Sequence, residues 1–428
     1  MRDGSPTRRG FLAAAGTTLL AGCGSLEQLG EDDRETVYAH ELPQAAEDGD
    51  VEPILGEDVP VDIERTVLDE RRQRVTELLD TLPMAFGPAD VPNGYVRERL
   101  VGAAEDATEY VDDARTAETR LSALESLREA RCQARYAATG WAFVDEELTE
   151  SAVQADHEAA VDDAESLESD HEYVGTDPVD AALVHARVER NLRLVLDNEP
   201  PSIYARESPL LTVAEWGEHA ETARARVADS RYLYDRFTSS LPDDPGTVEE
   251  TLDAAAESLA ADLRERREEL PPEPTEDDYD LVDRLRYDLR DEVEWSAERV
   301  TEAQGPASAV LAATDGLTDS LAFDRFKERV DDGESFGAES VADVRETRTT
   351  ALDAIRTALS ESPRPALARP VLAEAAWTVA WADESLGRFH GEVDVRRLDD
   401  PMERYATATL RARSVPTAVE QVVDVLGG

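Results

Sequence analysis

Gly333-Glu334-Ser335-Phe336-Gly337 fits the spacing G-x-S-x-G, with His390 downstream and Asp residues between. Chemistry at that spacing needs a hydrophobic strand that turns sharply into a helix and exposes the serine hydroxyl to a base. The residues leading in, Phe326-Lys327-Glu328-Arg329-Val330-Asp331-Asp332, read as a charged helix end, so the sequence predicts an interhelical turn here. Metal chemistry is the next possibility, because helical bundles hold ions with inward Glu and Glu-x-x-His. Glu168-Ser169-Asp170-His171 is the one E-x-x-H, where a paired site needs two. His157-Glu158 and His171-Glu172 begin like H-E-x-x-H, but Val161 and Gly175 occupy the second histidine position. His185 with Glu189, and Glu215 with His219, are four apart and share a helix face, as solvated surface pairs also do. The expectation is no catalytic residue, no assigned metal and no cofactor. A metal site would have to be drawn from His157, Glu168, His171, His185, Glu189, Glu215 and His219. Cys132, between Arg131 and Gln133, reads as a small buried apolar residue, since a nucleophilic thiolate needs a base and an electropositive setting.

The elements that carry these residues read as helices almost throughout. Leu68, Val75, Leu78, Leu79 and Leu82 form one stripe at helical spacing, ended by Pro83 and Gly87-Pro88. A helical region from about Asn93 to Glu168 is expected in pieces, with bends near Gly140 and Thr149. Asp177-Pro178 opens a helix to about Leu196. Thr212-Val213-Ala214-Glu215 and Thr247-Val248-Glu249-Glu250 have the pattern of capping boxes. Further helices are expected over about 279–303, 306–330, 338–360, 365–389 and 401–426, the last kinked at Pro416. The fold class is therefore all-α, a multi-helix bundle or stacked antiparallel hairpins of about ten helices, with breaks near 198–211 and 271–278 as possible sub-boundaries. Trp141-Ala142 and Trp381-Ala382, each in an Ala-rich helix with Asp-Glu following, hint at repetition without a fixed period. The five tryptophans and the cluster Tyr232, Tyr234 and Phe237 could line a pocket, but at helical spacing they read as core.

The N-terminus has a separate logic. Arg8-Arg9-Gly10-Phe11-Leu12 is followed by a small, apolar run and then Leu20-Ala21-Gly22-Cys23. The run is too short to span a bilayer, which needs roughly 20 apolar residues, and it has the layout of a signal peptide. The arginine pair with Phe11 and Leu12 resembles a twin-arginine export signal, and Leu20-Ala21-Gly22-Cys23 resembles a lipobox. The resemblance implies cleavage before Cys23 and a lipid on its sulfur. Residues 1–22 are then a signal peptide, 23–60 a lipidated acidic tether and 61–428 the helical body. A flexible tether from residue 24 to 60 would span roughly 30 to 35 Å. No later apolar run reaches 18 residues; the stretch from Pro370 to Ala382 is interrupted by Glu374.

The formal charge is −52, and removing residues 1–22, with three Arg and one Asp, makes it −54. The acid is spread along the chain and Lys327 is the sole lysine. This composition resembles secreted proteins of halophilic archaea, for which screening at about 1 M salt, over about 3 Å, removes most of the self-repulsion. Nucleic acid is excluded as a partner, because its phosphates require a basic patch. With Cys23 lipidated, Cys132 has no intrachain disulfide partner. Gly217-Glu218-His219 is similar to the opening of the G-x-H-x-x-E pattern of imelysin-like surface lipoproteins, an all-helical family. Thr222 stands where that pattern has its glutamate, so no site residue carries over.

The expectation from sequence is a cell-membrane protein, lipid-anchored on the extracellular side, whose helical body binds or scaffolds an envelope protein partner. The alternatives are a solute- or metal-binding lipoprotein working with a transporter, and a metal-dependent enzyme.

Overall fold

The computed structural model describes residues 36–43, 55–83, 87–146, 148–197, 201–202, 208–272 and 280–427. Residues 1–22, expected to be a signal peptide, and Cys23 lie outside them. Among the described residues the chain is all-α, with twelve helices where about ten are expected. In chain order these are α1 (Arg65–Leu79), α2 (Gly94–Thr116), α3 (Arg120–Asp145), α4 (Glu150–Asp170), α5 (Pro178–Leu196) and α6 (Pro209–Ser240), then α7 (Glu249–Glu268), α8 (Leu281–Thr301), α9 (Pro306–Asp331), α10 (Val341–Glu361), α11 (Pro365–Gly387) and α12 (Asp399–Gly427). Two three-residue strands, β1 (Thr36–Tyr38) and β2 (Glu392–Asp394), pair antiparallel with Val37 opposite Val393. Among the described residues no helix is long and apolar enough to cross a membrane.

Local chemistry sets most boundaries. Asn93, Thr119, Thr149, Asp177, Asp280 and Ser340 accept backbone N–H groups at the starts of α2, α3, α4, α5, α8 and α10, meeting donors that a first turn leaves without partners. Pro178, Pro209, Pro306 and Pro365 open α5, α6, α9 and α11. The expected capping box at Thr212 does not form. Pro209 starts that helix a turn earlier, and the Thr212 hydroxyl donates to Ser208 O at 3.2 Å. The bend expected at Gly140 also gives way: Gly140 lies buried inside α3, and the first break after Asn93 falls at Ala117–Thr119.

The twelve helices repeat one packing order twice. α3 packs against α1, α2 and α6, and α6 receives α4 and α5; likewise α9 packs against α7, α8 and α12, and α12 receives α10 and α11. Counterpart helices start 184 to 191 residues apart, from Arg65 to Glu249 at the low end and Glu150 to Val341 at the high end. The Trp141 and Trp381 hint is not this repeat, because Trp141 is on α3 and Trp381 on α11, which are not counterparts. The change of half falls between α6 and α7, away from the breaks near 198–211 and 271–278, and Thr36–Gly428 pack as one compact unit. The reading of 23–60 as a free tether is corrected for its described parts. Val37, Leu42, Leu55 and Val59 are buried on the body, single apolar residues too sparse to give a periodic signal.

The α3–α6 crossing is close at Gly217. A Cβ at Gly217 would lie 2.2 Å from Thr139 Oγ1 and 2.6 Å from Thr139 Cβ. Gly217→Ala should therefore destabilise the chain by about 1–2 kcal/mol in denaturant unfolding, overpacking outweighing the helix-propensity gain of up to about 1 kcal/mol. Adding Thr139→Ala should recover part of it; an unchanged midpoint for Gly217→Ala alone would show the crossing to be loose.

Candidate functional site

α5 serves both halves. It is buried from Val179 through Val195 on most of its circumference, packing on α6 and α4 on one side and on α9 and α11 on the other. Asp177, its cap, also takes two bonds of 2.8 Å from the Arg364 guanidinium at the start of α11, which holds the Asp177 carboxyl below its ordinary value. Further along, the Glu189 carboxylate accepts Ala307 N at 3.2 Å and Ser308 N at 2.7 Å. An anion thereby sits on the unsatisfied first turn of α9, across the junction of the halves.

Between α5, α9 and α11, and roofed by residues 57–59, lies a cleft of about 360 Å³. Leu183, Leu311 and Val371 supply apolar wall; Arg187, Arg190, Gln304, Ser308, Asp315 and Glu374 supply polar groups; Trp377 stands among the lining side chains. Arg187 donates to Glu57 and Glu125, and Arg190 lies 3.5 Å from Glu57. On the facing side Arg411 donates to Asp315 and to Glu374, the latter at 3.2 Å. Burial raises the Asp315 carboxyl above its ordinary value in spite of Arg411. A concave volume at a junction, mostly apolar with a few convergent charges, is the usual form of a ligand site. What this cleft can do is bind: an opposite-charge pair faces each side of an apolar floor.

The residues singled out from sequence lie elsewhere, and not together. His157 of α4 meets Trp216 and His219 of α6, with ring centroids 5.4 Å and 6.3 Å from His157, and burial followed by the His219 charge lowers its pKa. Glu215, four before His219, turns away to accept Ser202 N at 2.7 Å and Ser202 Oγ at 2.8 Å. Glu168 is exposed at the end of α4. His171 instead pairs with His185: His171 Nε2 lies 2.9 Å from His185 Nδ1, and His185 Nε2 lies 2.9 Å from Val174 O. Since a carbonyl only accepts, His185 donates from Nε2 and accepts at Nδ1, so His171 donates from Nε2. The edges of Tyr173 and Tyr234 close the pair, at centroid distances of 4.8 Å and 5.1 Å from His171. Tyr173 OH donates to Glu189 at 2.8 Å, so Glu189 is engaged with a tyrosine and a helix end and not with His185. Among the described residues no group of three or more His, Cys, Asp or Glu is arranged to hold a metal ion.

The remaining motifs have structural explanations. Ser335 is exposed in the turn from α9 to α10, after Gly333 at φ +78°, and no strand leads into it. Cys132 is buried, receives the Thr222 hydroxyl at 2.9 Å, and burial pushes its thiol up to about 12. Thr222, where the imelysin-like pattern has its glutamate, is thus committed to a core contact. Glu218 lies in a second cleft with Tyr95, Arg99 and Tyr136, where burial and then Glu215 raise it to about 7. Sequence reasoning did not find Arg187, Arg190, Asp315 or Glu374, because they come from segments far apart in the chain and have no common spacing. The tryptophans, expected in the core, include Trp295, Trp377 and Trp381, which are exposed because helical spacing alone does not say which face of a helix is covered.

Residues 66–244 match a family model described as a domain of unknown function (DUF8262), and residues 249–424 match a second, described as a domain of unknown function (DUF8264). The boundary between the two matches coincides with the α6–α7 connection that divides the repeated packing order. No curated protein and no solved structure matches the chain.

Proposed function

We propose that this is an exported lipoprotein, held on the extracellular side of the cell membrane through Cys23, whose helical body binds an envelope component. The observation that carries the binding role is the cleft on α5, where both halves contribute charged side chains around an apolar floor. The halves have the same packing order, but only their junction brings Arg187, Arg190 and Glu374 around one concave volume. The cleft volume favours one further reading: about 360 Å³ suits a small solute, to be passed to a transporter, better than a folded protein segment.

The test is mass spectrometry, for proteins, metals and small molecules, on the lipoprotein purified gently from membranes at its native high salt, beside Arg190→Ala and Glu374→Gln variants. A stoichiometric protein lost from the variants supports docking at the cleft. A stoichiometric solute lost from them supports the second reading. A protein or solute retained unchanged by both variants, or none bound to any form, sinks the cleft as the binding site.

A further inference from the structure

Trp377 and Trp381 are 51% and 52% exposed on α11, one turn apart, with ring centroids 6.5 Å apart. Two of the chain's five tryptophans thus form one exposed aromatic patch. Its electrical setting differs from that of the chain as a whole. Each acid one turn to either side has a guanidinium partner: Glu374 shares Arg411, at 3.2 Å, with Asp315 and Asp319, and Glu384 has Arg388 at 2.6 Å. Asp383, on the same turn, points inward, bonded to Arg348 and Tyr405. In a chain of formal charge −52, the turns that carry the pair thus add no exposed acid without an arginine partner. Trp295, also exposed, is alone, and its indole N–H is given to Asp291 at 3.2 Å.

The place of the patch in the chain indicates what covers it. Trp381 lies six residues before the end of α11, about 9 Å along the axis. β2 follows after a short turn and pairs with β1, whose Thr36 is only thirteen residues from Cys23. Thirteen residues reach at most about 45 Å. The body is therefore on a shorter leash than a 37-residue tether would give, and the α11–β2 end is where that leash attaches. Indole rings favour the headgroup level of a bilayer, where an apolar ring and a polar N–H are both accommodated.

Resting on the reading of Cys23 as lipidated, we infer that Trp377 and Trp381 are a membrane-contact patch that seats the helical body on the bilayer holding its lipid. Trp377 also lines the cleft, so this contact places the cleft beside the membrane surface, where a membrane-embedded partner would meet it.

The experiment uses the full lipidated chain in phosphatidylglycerol vesicles containing a share of lipid with brominated acyl chains, at about 2 M salt to screen the acidic body. Tryptophan emission should be quenched, Trp377→Phe/Trp381→Phe should remove most of the quenching, and Trp295→Phe should leave it. Sedimentation with the vesicles without quenching overturns the patch and leaves the lipid anchor standing. Failure to sediment at all overturns both. Quenching that survives the double replacement assigns membrane contact elsewhere, and shielding of the pair only by a copurifying protein assigns the patch to that protein; either result overturns the proposal.

Discussion

Asp383→Ala should cost about 3–5 kcal/mol, the largest loss expected from any single side chain in the second half, because it takes the carboxylate from two buried groups at once. Asp383 projects from α11 into the packing of α10 and α12. Arg348 Nε donates to both of its oxygens at 2.9 and 3.0 Å and Nη2 donates to Oδ2 at 2.9 Å. Tyr405, wholly buried, donates its hydroxyl to the same carboxylate. Burial and then the Asp383 charge push the Tyr405 hydroxyl far above its ordinary value, so it stays a donor at any pH at which the fold survives. Truncation takes from this buried guanidinium the carboxylate to which it makes three hydrogen bonds. Asp383→Asn should cost less, about 1.5–3 kcal/mol, since one acceptor remains but the charge does not. Replacing the three together, Arg348→Met, Asp383→Leu and Tyr405→Phe, should return most of the stability, because an apolar cluster of similar volume has no desolvation cost to offset. Denaturant unfolding at one fixed high salt concentration measures all three. A loss below about 1 kcal/mol for Asp383→Ala would mean that water reaches Arg348 and that the triad is not a buried one.

The same packing logic shows why the helices were legible in the sequence and the repeat was not. The stripe of Leu68, Val75, Leu78, Leu79 and Leu82 announces α1, and Val75 and Leu78 are its buried residues. Asp177-Pro178, Pro306 and Pro365 announce three helix starts because proline's fixed φ and missing N–H suit a first turn. The break between α2 and α3 has no such sign: Ala117-Glu118-Thr119 contains neither Gly nor Pro, and only the Thr119 cap stops the run. Charge reversal is one reason the repeated packing order leaves no repeat in the sequence. Glu221 and Arg411 are both the thirteenth residue of counterpart helices, α6 and α12. Glu221 accepts Arg131 of α3 at 2.8 Å, and Arg411 lies 3.1 Å from Asp319 of α9. A buried ion pair sits at the same helix crossing in both halves with its polarity exchanged, so the interaction is retained while neither residue is. Residue-by-residue comparison of the halves cannot register that.

The candidate site was less legible for a related reason. A cleft made by Glu57, Arg187, Asp315 and Glu374 depends on which helices pack together, and each of these side chains alone looks like one more surface charge in an acidic helical chain. The histidines were visible but mispaired. Four-apart spacing joins His185 to Glu189 on a helix face, whereas the turn from α4 to α5 folds His171 back onto His185 and leaves Glu189 to α9.

That histidine pair should make the junction of the halves acid-labile. Burial first, and then His185, lower the His171 pKa to about 4, and burial lowers His185 too. The groups facing the pair are the Tyr173 and Tyr234 rings, Phe237 and the Val174 carbonyl. An unfolded histidine titrates near 6.5, so between 6.5 and about 4 the unfolded chain binds a proton that the folded chain refuses. The contribution of His171 is thus fully present above pH 6.5 and is lost as pH falls towards 4, by about 3 kcal/mol over that window. Protonation of carboxylates on an acidic surface acts in the same range with the opposite sign by relieving repulsion, so wild type must be compared with His171→Gln, which keeps a donor to His185 but cannot take up the proton. The variant should lose about 3 kcal/mol less than wild type between pH 6.5 and 4 in denaturant unfolding; parallel curves would show that His171 is solvated. The local reporter is the Val248 amide, which donates to Tyr173 O at 2.8 Å where the α4–α5 turn meets the α6–α7 connection. If the histidine pair holds that turn in place, hydrogen exchange at Val248 should speed up in wild type at pH 5 relative to amides within α7, and should not in His171→Gln.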